Sequence, residues 1–590
     1  MPPVAVFSKV LVANRGEIAV RVFRTLRELG IGTVAVYSEA DRDSLHAAVA
    51  DEAYLVGPGR AAESYLNEER LLDAAKRAGA EAVHPGYGFL AENASFARAC
   101  AAAGLVWIGP PPAAIEVMGS KTAARERMQA AGVPIVPGTT DPVGSAEEVL
   151  RLGEEIGWPV AIKAAAGGGG KGLKVVADAE EAERAYESAR REGEAYFSDP
   201  TVYLERYIED PRHVEVQVLA DGHGNVVHLG ERDCTIQRRH QKLVEETPSP
   251  AVDAAMRERI GSIAVEAARA VDYRSAGTIE GLLDREGNYW FLEMNTRIQV
   301  EHTITELCFG VDLVREQVLI AAGEPISFGQ DELVFSGHAI ECRINAEDPA
   351  AGFLPSPAVI TRYREPAGPG VRVDSGVVEG SEVVGIYDPL IAKLCVWDRT
   401  RDGARRRMLR ALEEYEIEGP TTLIGFHRAL LSHPCFIGGA TCHGVVESDD
   451  LAARAAELAE SRIVTGSDST AKNARERIST VELDGRRFEV RALVPEPAYA
   501  ELARKRRERG RGGGSRGAAR DAVVTPMQGT VLAVLVAEGD EVRAGQVICV
   551  VEAMKMENEI TAHRDGTVSE LSVAPGLALK TGQVVCVVTG

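Results

Sequence analysis

The sequence predicts an α/β layer, then an α+β body, then a small all-β module at the C-terminal end. Three observations carry that expectation. Strand-like and helical patterns alternate over the first 110 residues, charged residues interrupt apolar strands from about 115 to 450, and the last 70 residues contain a repeat. Alternation of strand and helix favours a largely parallel sheet with helices on its faces.

Lys9-Val10-Leu11-Val12-Ala13 reads as a buried strand, Ile18 to Leu29 as a helix, and Thr33-Val34-Ala35-Val36-Tyr37 as the next strand. The intervening turn, Asn14-Arg15-Gly16-Glu17, lacks the GxGxxG dinucleotide fingerprint. Val214-Glu215-Val216-Gln217-Val218 alternates cleanly, which predicts one polar face open to a cleft. Asn288 to Val300 follows a turn at Gly287 and behaves similarly; helical patterns occupy roughly 251–270 and 403–415. Val481 to Val490 reads as a hairpin turning at Asp484-Gly485. Residues 504–520 hold eight basic residues and one acidic residue without apolar periodicity, the composition of a flexible linker. An Arg/Gly-type RNA-binding tail is the alternative for that segment, opposed by its lack of aromatics. In the last module Gly529-Thr530-Val531 recurs as Gly566-Thr567-Val568 and Gly545-Gln546-Val547 as Gly582-Gln583-Val584, both offset by 37 residues. Two similar hairpin-rich halves packed as a flattened β-barrel are expected, with Lys555 between Met554 and Met556 at their junction.

The chain has 590 residues and a formal charge of −22, which opposes nucleic acid as a general partner. No apolar run is long enough to span a membrane, and Met1-Pro2-Pro3-Val4 does not open a secretory signal. Nine cysteines spread over 590 residues do not make a disulfide framework. A cytoplasmic chain is expected.

Three constellations carry chemistry. Lys163 is followed by Gly167, Gly168, Gly169 and Gly170, whose N–H groups suit a phosphate chain; an ordinary surface loop is the competing reading, and Lys163 tips the balance. In Glu293-Met294-Asn295-Thr296-Arg297-Ile298-Gln299-Val300-Glu301, an extended chain would place Glu293, Asn295, Arg297, Gln299 and Glu301 on one side. Glu280, Glu293 and Asn295 offer hard oxygen ligands for Mg²⁺, with ATP phosphates completing the shell, and Arg297 a fork for a small planar anion; a solvated strand face with local salt bridges is the competing reading. Arg232-Asp233-Cys234-Thr235-Ile236-Gln237-Arg238-Arg239-His240-Gln241-Lys242 ends in four basic or titratable groups within five residues, positive charge that suits triphosphate or forms a surface patch. Cys234 within it reads as a packed small side chain rather than a nucleophile.

Ala553-Met554-Lys555-Met556, the 293–302 run, Asn14-Arg15-Gly16-Glu17-Ile18-Ala19, His84-Pro85-Gly86-Tyr87-Gly88-Phe89 and Arg238–Lys242 occur in one order. Together they resemble the biotin-containing (alpha) subunit of bacterial acetyl- or propionyl-CoA carboxylases. In that family an ATP-grasp biotin carboxylase body is fused to a biotinyl/lipoyl-type carrier domain. The resemblance covers roughly 8–450 and 522–590. It departs at Lys171 and Leu173, where many relatives carry Arg and Met.

The resemblance implies an N-terminal α/β domain at 1–114, an ATP-grasp domain with its lid at 115–334 and a C-terminal carboxylase domain at 335–450. A small linker or docking module at 451–503, the linker 504–520 and the carrier domain 521–590 follow. ATP would be held by Lys121, Lys163, Gly167–Gly170, Glu205, His213, Gln237 and His240. Glu280, Glu293 and Asn295 would hold Mg²⁺ or Mn²⁺; Lys242, Arg297, Gln299 and the Val300 backbone would seat bicarbonate, with Glu301 as base. Tyr87 and Arg343 would form the biotin pocket, Arg343 being catalytic too, and Lys555 would carry covalent biotin. The implied function is carboxylation of biotin through carboxyphosphate. About 140 residues follow the body, too few for a carboxyltransferase as well, so a separate β subunit is expected. A biotin protein ligase and a homo-oligomer through the body are further expected partners. The alternatives are the equivalent subunit of a pyruvate or branched acyl-CoA carboxylase, and a lipoyl-type carrier or scaffold.

Overall fold

The computed structural model describes residues 7–139, 141–164, 173–197, 199–239, 241–460, 474–483, 486–495, 521–553 and 556–589. They form two compact units, Met1–Leu458 and Ala459–Gly590. Gly167–Gly170, His240, the Asp484-Gly485 turn, the 504–520 linker and Lys555 lie outside the described residues.

The first unit opens with a five-stranded sheet ordered Glu52–Gly57, Gly32–Ser38, Lys9–Val12, Ala82–His84, Val106–Trp107, with every pairing parallel. Val10 and Val12 pack on one face with Ile18 and Phe23 of helix Gly16–Glu28, while Leu11 and Ala13 pack on the other with Leu71 and Ala74. Burial on both faces explains why this strand is apolar throughout rather than alternating. The strand order reverses direction between Lys9–Val12 and Ala82–His84. The motifs beginning at Asn14 and His84 therefore sit at the carboxyl ends flanking a switch point, where α/β sheets form crevices. They interlock there: the Asn14 Nδ2 donates to the carbonyls of Pro85 and Tyr87, both at 2.7 Å.

An eight-stranded antiparallel sheet follows, ordered Tyr289–Asn295, Ser275–Leu283, Arg212–Ala220, Val226–Arg238, Gln241–Thr247, His338–Asn345, Leu390–Asp398, Val371–Ser375. Its ladder is continuous across residue 335, since Val244 pairs with Cys342. Helix Ala254–Arg269 covers it, begun by an Asp253 side chain that accepts from the Met256 N–H at 2.8 Å. Helix Arg401–Glu414 starts likewise at Thr400. A separate three-stranded sheet joins Leu173–Val176, Val160–Ala164 and Val202–Arg206. Bridges from Ile135 to Phe291 and from Gly138 to Glu205 link segment 135–138 to both this sheet and the large one. Among the described residues no helix is long and apolar enough to cross a membrane.

The second unit contains the hairpin Ala474–Leu483 with Arg486–Pro495, and two four-stranded sheets. Strands Gly529–Val534, Glu541–Val542 and Val547–Ala553 recur 37 residues later at Gly566–Ser569, Ala578–Leu579 and Val584–Thr589. The halves exchange their short middle strands. Glu541–Val542 pairs with Gly566–Ser569 of the second half, and Ala578–Leu579 with Gly529–Val534 of the first. A Cβ on Gly529 would meet the Glu552 carbonyl oxygen at 2.4 Å, and one on Gly566 the Thr589 oxygen at 2.6 Å. The glycines recur because the same close backbone approach recurs. Val547–Ala553 pairs with Met556–Thr561, Ala553 opposite Met556, so two framework strands flank the position of Lys555.

Candidate active site

Register in the large sheet aligns the polar residues. Glu293 lies opposite Glu280, Glu280 opposite Glu215, and Glu215 opposite Arg232, one row across four strands. Asn295, Thr278 and Gln217 form the adjacent row. The expected open polar face on the 214–218 stretch is not observed: Glu215 and Gln217 are both 0% exposed. Arg232, also 0% exposed, explains how they are tolerated there. Its five N–H groups reach Glu215 Oε1 at 2.5 Å, Gln217 Oε1 at 2.7 Å, Thr305 Oγ1 at 2.9 Å, Thr278 Oγ1 at 3.1 Å and Gln299 Oε1 at 2.8 Å. Buried polar groups persist when fully partnered, and here every donor of the fork is used.

The extended run expected through residue 301 stops at Asn295, where the strand ends. Residues 296–301 leave the sheet and lead into helix His302–Phe309, with Glu301 at its N-cap position. The chain thereby turns Gln299 and Glu301 back onto the polar rows. Convergence survives, but by a turn rather than by period-two alternation.

Lys242 sits at the centre. Its ammonium donates to Glu215 Oε2 at 2.5 Å, Glu280 Oε1 at 2.8 Å and Glu301 Oε1 at 2.7 Å. Arg343 donates to Glu301 Oε2 at 2.9 Å and to Glu245 Oε1 at 2.6 Å. Glu301 is thus gripped through both oxygens. Burial works against its ionisation, yet the Lys242, Arg343 and Arg232 cations prevail and hold it well below the usual carboxylate range. Burial likewise opposes the Lys242 charge, and the Glu215, Glu301 and Glu280 carboxylates override it, raising that ammonium well above its ordinary value. Burial pushes Glu245 up to about 8. Cys234 is buried 4.0 Å from Glu301 Oε1, and burial raises its thiol well above the ordinary value, so the packed reading suits it.

The expected metal ligands are neighbours but differ in their engagement. Glu280 accepts from Lys242, His213 at 2.6 Å, Asn295 at 2.7 Å and Gln299 at 2.6 Å. The Asn295 amide is used at both ends, its oxygen accepting from Arg297 at 2.8 Å. Glu293 is the exposed member, its carboxyl raised by burial on one side and by the Glu280 charge. That repulsion is the condition a divalent cation relieves, and the oxygen donors suit a hard ion. Among the described residues, His213–Glu215–Glu280 and Glu215–Cys234–Glu301 each bring three ligand-type atoms within 4.8 Å of one another.

Other expected residues fall into separate clusters. Lys163 pairs with Glu205, and Arg125 approaches Glu205 at 3.6 Å. Lys121 begins helix Lys121–Ala130 on the exposed surface. Gln237 donates to the Cys234 carbonyl at 2.7 Å and stands opposite Lys242 in the ladder. Arg297 donates to Glu92 at 3.0 Å. Tyr87 donates its hydroxyl to Glu17, Glu17 pairs with Lys393 at 3.2 Å, and the Lys393 ammonium donates to the Val300 carbonyl at 2.9 Å. This chain ties the N-terminal sheet to the residue preceding Glu301. Arg232, Glu215, Glu245 and Lys393 were not among the expected site residues. Glu215 and Lys393 are single charges in strand-like runs, while Arg232 and Glu245 stand beside other charges, and only the cross-strand register pairs them.

Four family descriptions match the chain: "Biotin carboxylase, N-terminal domain" over 6–115, "Carbamoyl-phosphate synthase L chain, ATP binding domain" over 120–328, "Biotin carboxylase C-terminal domain" over 341–448 and "Biotin-requiring enzyme" over 521–588. The biotin-dependent acyl-coenzyme A carboxylase alpha3 subunit of Mycobacterium leprae is 48% identical, covering 95% of this chain and 94% of that protein. The propionyl-CoA carboxylase alpha chain of Ruegeria pomeroyi is 39% identical over 95% of this chain and 96% of its own length. Among solved structures, the biotin carboxylase domain of Hydrogenobacter thermophilus 2-oxoglutarate carboxylase, in complex with MgADP, ADP and bicarbonate, superposes with a TM-score of 0.69. It is 50% identical, over 75% of this chain and 99% of that one.

Proposed function

The chain belongs to the biotin carboxylases fused to a biotin carrier domain, as in acyl-CoA carboxylase alpha subunits, and from this premise we infer how its residues divide the work. It is an ATP-dependent ligase that carboxylates biotin using bicarbonate. In our reading Lys242, Arg297 and Gln299 seat bicarbonate beside the Val300 backbone, and Glu301 takes its proton as the bicarbonate oxygen attacks the γ-phosphoryl of ATP. That attack breaks the bond from the γ-phosphorus to its bridging oxygen, releasing ADP and leaving carboxyphosphate. Bicarbonate is a poor electrophile until it is phosphorylated, and its attack on the γ-phosphoryl needs a base that is ionised at neutral pH to take its proton; Glu301 is ionised there because cations hold both of its oxygens.

Lys121, Lys163, Glu205, His213 and Gln237 take the nucleotide side, with Gly167–Gly170 and His240 assigned there from sequence alone. Mg²⁺ or Mn²⁺ would supply charge neutralisation between phosphate oxygens, held by Glu280 and Glu293 with Asn295 orienting Glu280. Biotin supplies the ureido nitrogen that accepts the one-carbon unit. Arg343, bonded to Glu245 and Glu301, would stabilise negative charge on the ureido oxygen. Tyr87, anchored on Glu17, lines that pocket.

The observation carrying this reading is the single carboxylate, Glu301, clamped between Lys242 at 2.7 Å and Arg343 at 2.9 Å. Its test is bicarbonate-dependent ATP hydrolysis with free biotin. Glu301→Gln should lower turnover by about 10²–10⁴-fold, the usual worth of a general base. Undiminished turnover removes Glu301 from that role. Intact mass after incubation with biotin protein ligase should show one biotin, lost in Lys555→Arg.

An acetyl- or propionyl-CoA acceptor on a separate carboxyltransferase β subunit is the reading we favour over pyruvate or branched acyl-CoA. It is supported by acyl-CoA carboxylase relatives that align with the carrier end as well as the body. Co-purification of the full chain with its partner, followed by acyl-CoA-dependent turnover, decides it.

A further inference from the structure

We propose that Cys435 and Cys442 form a reversible disulfide switch in the wall of the nucleotide side of the site, closing on oxidation and loosening on reduction. The proposal rests on the assignment of Gln237 to the nucleotide.

The two cysteines are disulfide-bonded, with Cα atoms 5.7 Å apart and a sequence separation of seven. The other seven cysteines are buried free thiols, so this bridge stands alone in a chain not built on disulfides. In a compartment that keeps thiols reduced, an isolated bridge is usually transient, catalytic or redox-sensing rather than a scaffold. Cys442 is 4% exposed, whereas Cys435 is only half-buried and is the more accessible residue of the two.

The bridged segment is stitched to the sheet that carries the site. The Thr441 hydroxyl donates to Asp210 at 2.6 Å, and His443 also meets Asp210. The Gly439 carbonyl accepts from Arg212, whose other nitrogen reaches Asp233 at 3.0 Å. Arg212 begins the strand that continues into His213 and Glu215. A cavity of about 200 Å³ is lined on one side by Thr235 and Gln237 and on the other by Thr441, Cys442, His443 and Glu447. One half of the cystine is therefore a wall of the same cavity as Gln237.

The chemistry is thiol–disulfide exchange with a small cellular thiol. An external thiolate attacks the Cys435 sulfur, the S–S bond breaks, and Cys442 leaves as a thiolate that takes up a proton. A second thiol attacks the mixed disulfide, releasing Cys435 as a thiol and a small-molecule disulfide. Two electrons pass from two small thiols to the cystine, and the reverse sequence restores it. Reduction removes the covalent closure and leaves the 435–442 segment held by non-covalent contacts such as Thr441–Asp210 and Arg212–Gly439, so nucleotide binding must then order that wall further, which weakens it.

The test uses the full-length chain equilibrated in reduced or oxidised glutathione. Free thiols are counted by alkylation and intact mass, and the ATP KM is measured in each state in the bicarbonate and free-biotin assay. The reduced form should take up two more alkyl groups, and its ATP KM should rise by at least about fivefold, the lower end of ordinary coupling between sites. The bicarbonate KM should hold, and Cys435→Ser should show the reduced value in both buffers. Equal ATP KM values despite different masses, or masses that never differ, overturn the switch. A Gln237→Ala enzyme whose ATP KM matches wild type overturns the nucleotide assignment of Gln237 alone; the redox comparison still decides the switch.

Discussion

At the scale of single residues, Arg232 shows how buried charge is made tolerable and then useful. Its partners Glu215 and Gln299 are themselves held against Lys242 and Glu280, so one guanidinium fixes the orientation of the groups around the base. Arg232→Met would leave Glu215 buried with one cation fewer. Breaking such a pair costs about 3–5 kcal/mol, which should appear as a lower denaturation midpoint in urea. Arg232→Lys keeps the charge but loses the fork, and should raise the bicarbonate KM through a disordered Gln299 while leaving the ATP KM in place. A KM unchanged for both substrates would reduce Arg232 to a packing role. Lys242, Arg297 and Glu301 were legible because they lie within recognisable runs. Arg232 opens the charged run that ends at Lys242, but its role was not legible, because an arginine between Glu231 and Asp233 looks like part of a solvated face until its neighbours across the sheet are known.

At the scale of elements, the repeat in the last 70 residues carried most of its architecture in its glycines. Gly529 and Gly566 recur because a carbonyl oxygen approaches each of them within the space of a side chain. Gly529→Ala should destabilise the C-terminal module by about 1–3 kcal/mol, read as faster amide exchange along Val547–Ala553, and Gly566→Ala should do the same along Val584–Thr589. Equal protection in variant and parent would contradict the close approach. The exchange of middle strands between the two halves was not legible, since local periodicity reports which residues form strands and not which strands pair. The end of the strand at Asn295 was missed for a related reason. Polar residues in a turn that folds back onto a sheet can mimic the alternation of a longer strand.

At the scale of the whole molecule, opposing titrations should shape stability. Burial pushes His46, His84 and His427 down to about 4. Below their unfolded value of about 6.5 the unfolded chain binds more protons, so stability falls as pH drops towards 4. Burial pushes Glu245 up to about 8 and Glu341 and Glu347 to about 7. For these the folded chain binds more protons above about 4.5, so stability falls as pH rises through that window. The melting temperature of the body should therefore be nearly level between about pH 4.5 and 6.5, where the two sets offset each other. It should fall towards about pH 4 as the histidines bind protons in the unfolded chain, and fall from about 6.5 towards 7–8 as the glutamates lose theirs. A melting temperature still climbing from pH 6.5 to 8 would mean the three glutamates are ionised in the folded protein. The alternating start of the chain and its C-terminal repeat were enough to anticipate the fold classes, but composition gave no sign that one hydrogen-bonded ladder would run from Tyr289–Asn295 to Val371–Ser375. That ladder constrains anyone who would take the protein apart. A fragment truncated at residue 334 would strip His338–Asn345 from Gln241–Thr247 and leave a raw edge next to Lys242, ready to recruit the same edge of another copy. Split reporters and minimal catalytic fragments should accordingly be cut after the sheet is complete, beyond Asp398.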